Sequence, residues 1–277
     1  EHPCEARCRR NMVDEVFVHL SSQTNLPINK IIKELEVMGV TVDLNINVFE
    51  MEIPVQREIE RIGNYYTVSF SPKIHSFKQI FFKRVMDIVG AIVGLLITGI
   101  VTVFLAPALL IESPGPLFFS QVRVGKNGRR FKIYKFRSMY MDAEERKKEL
   151  MSQNEMEGLM FKMENDPRVT KVGKFIRKTS IDELPQFWNI LKGEMSLVGT
   201  RPPTEDEFLQ YEGYHRRRLN MTPGLTGLWQ VSGRSDTKNF EEIVAMDVEY
   251  IDNWSLKEDI KILFKTVGVV LKGKGAS

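Results

Sequence analysis

Five arginines in the second half of the chain lie beside residues that favour turns, and their chemistry suits phosphate. They occur in the segments KFRSM, NDPRVTKVG, GKFIRKTS, VGTRPP and VSGR as Arg137, Arg168, Arg177, Arg201 and Arg234. A guanidinium group held on a rigid loop can bind two oxygens of one phosphate at once. Each arginine taken singly is better explained by a surface salt bridge, but the group as a whole predicts a phosphate-binding site.

Acidic residues shortly after KFRSM could act on such a phosphate. Asp142, Glu144 and Glu145 lie in the segment DAEERKKEL, which predicts a helix over Asp142–Met151. On a helix, Asp142 and Glu145 are three residues apart and share a face. Such a pair could hold a divalent cation through its oxygens, and one carboxylate could attack an electrophilic phosphorus to form an acyl phosphate. The alternative is a solvated helix whose opposite charges pair along its length.

Three further acids are candidates for contact with a substrate. Asp182 and Glu183 open a predicted helix that stops at Gly193, and capping of that helix is their alternative role. Asp247 lies in the apolar run VAMDVEYI, where a buried acid needs a partner. The four histidines are scattered, so a zinc site is not expected. The lack of a G-x-S-x-G or P-loop motif disfavours acyl hydrolysis and ordinary NTP hydrolysis.

A hairpin and a set of helices must position these residues. LFFSQVRV and FKIYKF alternate on either side of a Lys126-Asn127-Gly128 turn and predict a β-hairpin. Apolar spacing, caps and prolines predict further helices. These helices cover residues 180–193, 204–219, 239–254 and 256–271. The last one is amphipathic and cationic, so it could lie on a membrane or pack on the core of the domain.

The apolar stretch Ile88–Ile111 contains no charged residue and would form a helix roughly 36 Å long, enough to cross a bilayer. Pro107 favours a break within it. Basic residues flank both ends, and positive charge marks the cytoplasmic side of short loops. A helix that enters the membrane, breaks at Ala106–Pro107 and returns keeps both flanks inside. We therefore expect a re-entrant hairpin rather than a plain span or a buried core helix.

The N-terminal region predicts a small α/β unit, so the fold class is α/β (α+β). Strands are predicted over 14–20, 41–49 and 65–70, with a helix over 26–38. This βαβ pattern is typical of part of a Rossmann-like, nucleotide-binding-like domain. The net charge of +3 carries no signature of nucleic-acid binding. The expected order is a disordered start (1–12), the α/β unit (13–70), an interfacial stretch with the membrane helix (71–112) and a catalytic domain (113–277).

Four segments together resemble the bacterial sugar transferase family, the monotopic polyprenyl-phosphate glycosyl-1-phosphate transferases of surface polysaccharide synthesis. They are KRVMDIVGAIVG, SPGPLFFSQVRVGKNGRRFKIYKFRSM, DPRVTKVGKFIRKTSIDELPQFWNILKGEMSLVGTRPP and PGLTGLWQVSGR. The resemblance implies transfer of a sugar phosphate from a UDP-sugar to undecaprenyl phosphate, with release of UMP, in exopolysaccharide, capsule or O-antigen assembly. It also implies Mg²⁺ as cofactor and membrane lipid as a partner, and it allows a homo-oligomer. The implied location is the bacterial inner membrane, with the catalytic domain facing the cytoplasm.

The family resemblance also implies roles for particular residues. In that family an aspartate attacks the β-phosphorus and forms a covalent phosphosugar intermediate in a ping-pong mechanism, and a neighbouring glutamate helps to hold magnesium. This dyad is expected after the KFRSM motif, so Asp142 is the expected nucleophile and a metal ligand together with Glu145. The pair Glu144–Glu145 is the alternative. Lys135 and Gln230 join the expected substrate-binding residues because they lie within the matching segments.

The chain also departs from the family pattern. Thr200 stands where proline is common, and no adjacent Asp–Glu pair comes directly after KFRSM, where the run is Asp142-Ala143-Glu144-Glu145. Longer relatives carry membrane spans ahead of the transferase, so the chain is expected to be part of a longer protein. The competing function is a non-catalytic, membrane-anchored module that binds lipid or nucleotide.

Overall fold

The computed structural model describes residues 13–19, 27–45, 56–63, 65–71, 76–150, 163, 166–232 and 239–272. Its N-terminal part is a four-stranded sheet with one helix. The elements are β1 (Glu15–Val18), α1 (Ile28–Val37), β2 (Thr41–Asn45), β3 (Gln56–Ile62) and β4 (Tyr65–Ser71). The strand order is β1-β2-β4-β3. Strands β1 and β2 are parallel, as the βαβ pattern predicts, because α1 crosses between them.

The rest of this sheet corrects the prediction. Strand β4 runs antiparallel to both β2 and β3, so only one strand pair is parallel and the Rossmann-like interpretation is not confirmed. Strand β3 was not predicted, because its sequence QREIERI is rich in charged residues that are uncommon in strands. Its hairpin partner β4, YYTVSFS, is rich in residues that favour strands.

Helix α2 (Phe77–Glu112) contains the whole apolar stretch, and its mean hydropathy is high enough for a membrane span. Most of its side chains are exposed, which excludes a buried core helix. The helix continues through Pro107 without interruption, so the predicted break is wrong. Leu105 and Leu109 explain the continuity, because both pack with Phe136 and Ile176 on either side of the proline. The re-entrant topology stays a prediction.

The predicted hairpin is confirmed. Strands β5 (Phe118–Val124) and β6 (Arg130–Phe136) pair antiparallel from Phe118 opposite Phe136 to Val124 opposite Arg130. The turn between them uses left-handed backbone at Asn127 (φ 54°) and Gly128 (φ 80°). This conformation is easiest for asparagine and glycine, which the sequence supplies.

Short helices and two short strands complete the chain. They are α3 (Ala143–Leu150), α4 (Lys171–Lys178), a 3₁₀ helix (Ile181–Gln186), α5 (Phe187–Lys192), β7 (Ser196–Val198), α6 (Glu205–Leu209), a second 3₁₀ helix (Tyr214–Asn220), β8 (Gly224–Thr226), α7 (Leu228–Val231), α8 (Phe240–Asp252) and α9 (Leu256–Lys272). The helix predicted over 180–193 stops at Gly193 (φ 85°), but its first half is 3₁₀. The single helix predicted over 204–219 is wrong, because the chain leaves the helix after Leu209 and buries Tyr211 in the core.

The main core joins the hairpin, the short helices and the C-terminal helices. Ile133 of β6, Ile190 of α5, Val198 of β7, Tyr250 of α8 and Ile262 of α9 share one buried cluster. Helix α9 therefore packs on the core, which was one of its two predicted positions. Its opposite face exposes apolar residues such as Phe264 and Val267, so contact with a membrane stays a prediction for that face.

Candidate active site

The first 3₁₀ helix places an adjacent Asp–Glu pair where three elements meet. Asp182 is buried, with 7% of its surface exposed, and Glu183 is partly buried. Ser180 occupies the position before the helix in a left-handed conformation, and its side chain makes no capping hydrogen bond. The Glu183 carboxylate faces Lys135 instead of capping the helix start.

Lys135 of β6 lies against this pair. Its Nζ atom donates a hydrogen bond to Glu183 Oε1 at 2.6 Å. The strand is held in place by the buried side chain of Asn189, which accepts from the Tyr134 N–H at 3.2 Å and donates to the Lys132 carbonyl at 2.6 Å. The lysine is thus presented by a backbone that is fixed just before it.

Arg177 reaches the same place from α4. Its Nε atom donates to Ser138 Oγ at 2.9 Å, which anchors the guanidinium beside the hairpin. Helix α4 is capped by Thr170, whose hydroxyl accepts from the Gly173 N–H at 2.8 Å. Gly173 packs directly on the chain, because a Cβ atom there would lie 1.9 Å from the Ser138 carbonyl oxygen. A glycine at this position therefore lets α4 bring Arg177 close to the acids.

The electrostatics of the two acids differ although they are adjacent. Burial, with the neighbouring Glu183 carboxylate, raises the pKa of Asp182 to about 6, against the opposing charges of Lys135 and Arg177. Burial alone would also raise the pKa of Glu183, but the bonded ammonium of Lys135, together with Arg201 and Arg123, holds that pKa below its usual value. A buried acid with a raised pKa next to an ionised partner is typical of catalytic pairs.

Arg201 follows β7 and lies near this pair. Its guanidinium bonds to Glu207 at 3.0 and 3.4 Å and stays partly exposed. Arg123 of β5 is close to Arg201, because its Nη1 atom donates to the Pro202 carbonyl at 3.1 Å. Its charge also lowers the pKa of Glu183 and of Glu207. Four cations and two acids of the described chain therefore converge here. They are Lys135, Arg177, Arg201, Arg123, Asp182 and Glu183.

Two of the predicted phosphate-binding arginines are occupied by the protein itself. Arg137 donates to the carbonyls of Ser113 and Pro114, which follow the end of α2. Arg168 is buried and makes a forked pair with Asp166, with distances of 2.6 to 3.1 Å, and it also donates to the Ala143 carbonyl. These contacts fasten the chain around α2 and α3 and favour a structural role for both residues.

The acids after KFRSM lie at the surface. The side chain of Asp142 is 55% exposed, and its nearest described partner is Arg146 at 3.8 Å, one turn further on. Glu145 is exposed as well. The side chain of Glu144 lies outside the described part of the structure. This arrangement matches the alternative of a solvated, charge-paired helix.

The remaining predicted site residues are placed as follows. Asp247 is fully buried and pairs with Arg218 at 2.6 Å, and Arg218 also donates to the Tyr211 hydroxyl. Burial raises the pKa of Asp247 against the charge of Arg218. The expected partner of this acid is therefore an internal one. Gln230 lies partly buried on α7, which packs against α8 and α9. Arg234 lies outside the described residues.

The Asp182–Glu183 pair is the candidate site for a metal ion. Within the described residues, no three His, Cys, Asp or Glu side chains are grouped to hold an ion. Asp182 and Glu183 still fit Mg²⁺, because this ion commonly uses one or two carboxylates and takes its other ligands from water and substrate phosphates.

Comparison with known proteins identifies the family. The model for the bacterial sugar transferases matches residues 78–273, which include every residue of the site and all of α2 except its first residue. The chain belongs to the bacterial sugar transferase family.

Three relatives illustrate the range of this family. Galactosyl transferase CpsE of Streptococcus agalactiae serotype III is 51% identical over 266 residues, which are 95% of this chain and 59% of that protein. Undecaprenyl-phosphate galactose phosphotransferase of Salmonella typhimurium is 46% identical over 200 residues, 71% of this chain and 42% of that protein. UDP-glucose:undecaprenyl-phosphate glucose-1-phosphate transferase of Klebsiella pneumoniae is 34% identical over 267 residues, 94% and 55% of the two chains. The chain thus spans about half the length of these relatives.

The sequence reasoning missed Arg123 and undervalued Asp182. A signal for Arg123 was present, because opposite residues of a hairpin share a face, and Phe119 lies opposite Lys135. Arg123 is four residues from Phe119 on the same strand and therefore lies on the face of Lys135. The signal for Asp182 was its adjacency to Glu183 with Arg177 five residues earlier, although Asp206–Glu207 with Arg201 repeats that pattern.

Proposed function

We propose that this chain is the catalytic part of a phosphoglycosyl transferase that moves a sugar 1-phosphate from a UDP-sugar to undecaprenyl phosphate and releases UMP. The observation that carries the proposal is the buried Asp182–Glu183 pair beside Lys135 and Arg177. Family membership and the names of the relatives support the substrates. A module that only binds lipid or nucleotide gains nothing from two carboxylates beside its anion site, so the pair favours catalysis.

The proposed nucleophile is Asp182, which replaces the expectation of Asp142. A carboxylate oxygen of Asp182 attacks the β-phosphorus of the UDP-sugar, and the bond from that phosphorus to the oxygen of the UMP phosphate breaks. UMP leaves with the bonding electrons, and the sugar phosphate stays on Asp182 as an acyl phosphate. An oxygen of the lipid phosphate then attacks the same phosphorus and releases the carboxylate.

The neighbouring side chains have distinct roles in this proposal. Lys135 and Arg177 are held rigidly next to Asp182 and stabilise the negative charge of the phosphoryl group during transfer. Glu183, which stays ionised because of Lys135, is the proposed ligand for Mg²⁺ together with the substrate phosphates. Such an ion would neutralise charge on the diphosphate. Arg201 is partly exposed, so the N–H groups that do not face Glu207 are suited to bind a further phosphate oxygen.

The position of α2 supports a lipid acceptor. Thr98 of this helix donates to the Leu184 carbonyl at 3.2 Å, so the apolar stretch touches the 3₁₀ helix that carries the acids. Lys83, near the start of α2, is buried and bonds to Asp259 at 2.7 Å. We propose that α2 lies in the inner membrane, which brings the phosphate of a membrane-bound acceptor to Asp182.

The test is a trapping experiment on the detergent-solubilised protein with Mg²⁺. UDP-sugars labelled in the β-phosphate, beginning with UDP-galactose, are supplied without acceptor. The protein is then denatured and digested, and the labelled peptide is identified. The expected result is release of UMP and label on the peptide that contains Asp182. Label on Asp142 or Glu144 would restore the first assignment of the nucleophile. No UMP release from any of a panel of UDP-sugars, with and without undecaprenyl phosphate, would reject the function.

A further inference from the structure

The end of strand β5 is fastened to the segment that carries Arg201. The Val124 N–H donates to the Pro203 carbonyl at 3.0 Å, and Arg123 and Thr204 form a backbone bridge. The side chain of Arg123 adds a third link, because Nη1 donates to the Pro202 carbonyl at 3.1 Å. These bonds fix Arg123 beside the two residues that directly follow Arg201.

A buried carboxylate holds the other arginine. Glu207 of α6 accepts from Arg201 Nη1 at 3.0 Å, and it also closes the capping box with Thr204, with N–H to oxygen distances of 3.0 and 3.2 Å. Burial would raise the pKa of Glu207, but Arg201 and then Arg123 hold it below its usual value. One ionised carboxylate therefore faces two guanidinium groups, which leaves a net positive charge on this side of Glu183.

We propose that Arg123 binds a phosphate group together with Arg201, in a subsite next to the Asp182–Glu183 pair, and that Glu207 is the positioning residue that orients Arg201. This inference rests on the proposed function, because it assigns the subsite to a phosphate of that reaction. Two guanidinium groups on fixed backbones can bind more oxygens of one phosphate group than a single guanidinium can. The phosphate belongs either to the nucleotide or to the lipid acceptor.

The chain offers a matched control for Arg123. Arg130 lies on the partner strand β6, opposite Val124, and its side chain pairs with the exposed Glu205 at 2.7 Å. Glu205 belongs to α6, like Glu207. Arg123→Gln and Arg130→Gln therefore remove the same charge from the same hairpin beside the same helix, but on opposite faces. Arg123→Lys keeps the charge and removes only the planar fork.

The experiment measures UMP release and transfer to undecaprenyl phosphate by the full chain in detergent with Mg²⁺. We expect Arg123→Gln to raise one KM at least tenfold, Arg123→Lys to fall between it and the wild type, and Arg130→Gln to stay within twofold. A rise in the KM for the UDP-sugar, with weaker inhibition by added UMP, assigns the nucleotide phosphate. A rise confined to the KM for undecaprenyl phosphate assigns the lipid phosphate.

Three outcomes would overturn the subsite. Arg123→Gln could leave both KM values within twofold of the wild type, or Arg130→Gln could give the same loss. Arg123→Gln could also lower the melting temperature while Arg123→Lys restores the melting temperature and the KM together, which would leave Arg123 a structural role only. Failure of the proposed function is separate, because the wild type would then release no UMP from any UDP-sugar, whereas full activity in an Asp182→Asn variant would reject only the proposed nucleophile.

Discussion

Two acidic segments of the same domain could each have supplied a nucleophile, and their surroundings differ in every respect. At Asp142 the side chain is 55% exposed and has an arginine of its own helix turn as its nearest described partner. At Asp182 the side chain is buried among Lys135, Arg177 and Glu183, which come from three elements. The first segment is a charged surface helix. In the second, charged side chains from separate parts of the chain lie close together.

The difference teaches how acids of similar sequence context should be weighed. A surface carboxylate loses nothing by staying in water, so its presence near a motif carries little information. A buried carboxylate is costly unless the protein compensates for it, and here the compensation comes from fixed cations. Burial of an ionisable side chain such as Asp182 is unfavourable, and functional sites often contain such groups. This is the physical reason to place the chemistry at Asp182.

Neutralising each acid in turn is the most direct test of which one is the nucleophile. We expect Asp182→Asn to lower UMP release from the UDP-sugar by a factor of about 10⁴, because an amide is a poor nucleophile and the reaction has no substitute for it. Asp142→Asn should retain activity within about threefold of the wild type. The measurement is single-turnover UMP release without acceptor. A large loss at Asp142 with activity kept at Asp182 would reverse the comparison.

The sequence could predict the elements better than the site. The β5–β6 hairpin, the end of α5 at Gly193 and the helices α8 and α9 depend on local turn residues, caps and periodicity, so each was predicted. The site depends on tertiary contacts. Neither the burial of Asp182 nor the pairing of Arg168 with Asp166 is visible in spacing, because both arise where distant segments pack. Asp247 shows the intermediate case, since an acid in an apolar run predicts a partner but does not say that the partner is Arg218.

Two lysine residues on opposite faces of β6 test whether the position of a positive charge matters. Lys135 bonds to Glu183, whereas Lys132 points to solvent three residues earlier. We expect Lys135→Gln to lower turnover by about 10²-fold, because a charged donor in the reacting site is lost. Lys132→Gln should stay within twofold. Equal effects of the two variants would mean that the hairpin contributes only general positive charge.

The acid limb of the pH profile should report Asp182. A nucleophilic carboxylate must be ionised, and with a pKa of about 6 the ionised fraction falls roughly tenfold per pH unit well below that value. We expect kcat/KM for the UDP-sugar to fall as the pH drops through 6. Lys135→Gln should move this limb to higher pH, because Lys135 gives the largest of the opposing charges that lower the pKa of Asp182. An acid limb that stays below pH 5 in both proteins would contradict the assignment.

The smallest expected effect is on stability, and it again separates the two acids. The pKa of Asp182 is raised in the folded state from a usual value of 3.8 to about 6. The ionised carboxylate therefore opposes folding, and this penalty is fully present above about pH 6 and disappears as the pH falls towards 4. Asp182→Asn removes it and should raise the free energy of unfolding by about 1–3 kcal/mol at pH 7.5.

The control for this prediction is the exposed acid. Asp142→Asn should change the free energy of unfolding by less than about 0.5 kcal/mol, as is usual for surface sites. Thermal melting of both variants and the wild type in the same detergent, at pH 7.5 and pH 5, provides the comparison. The gain from Asp182→Asn should shrink at pH 5, where the wild-type carboxylate is mostly protonated. A variant that loses activity and also melts below the wild type would instead make Asp182 a structural acid, held in place by Lys135 and Arg177 for the fold rather than for the reaction.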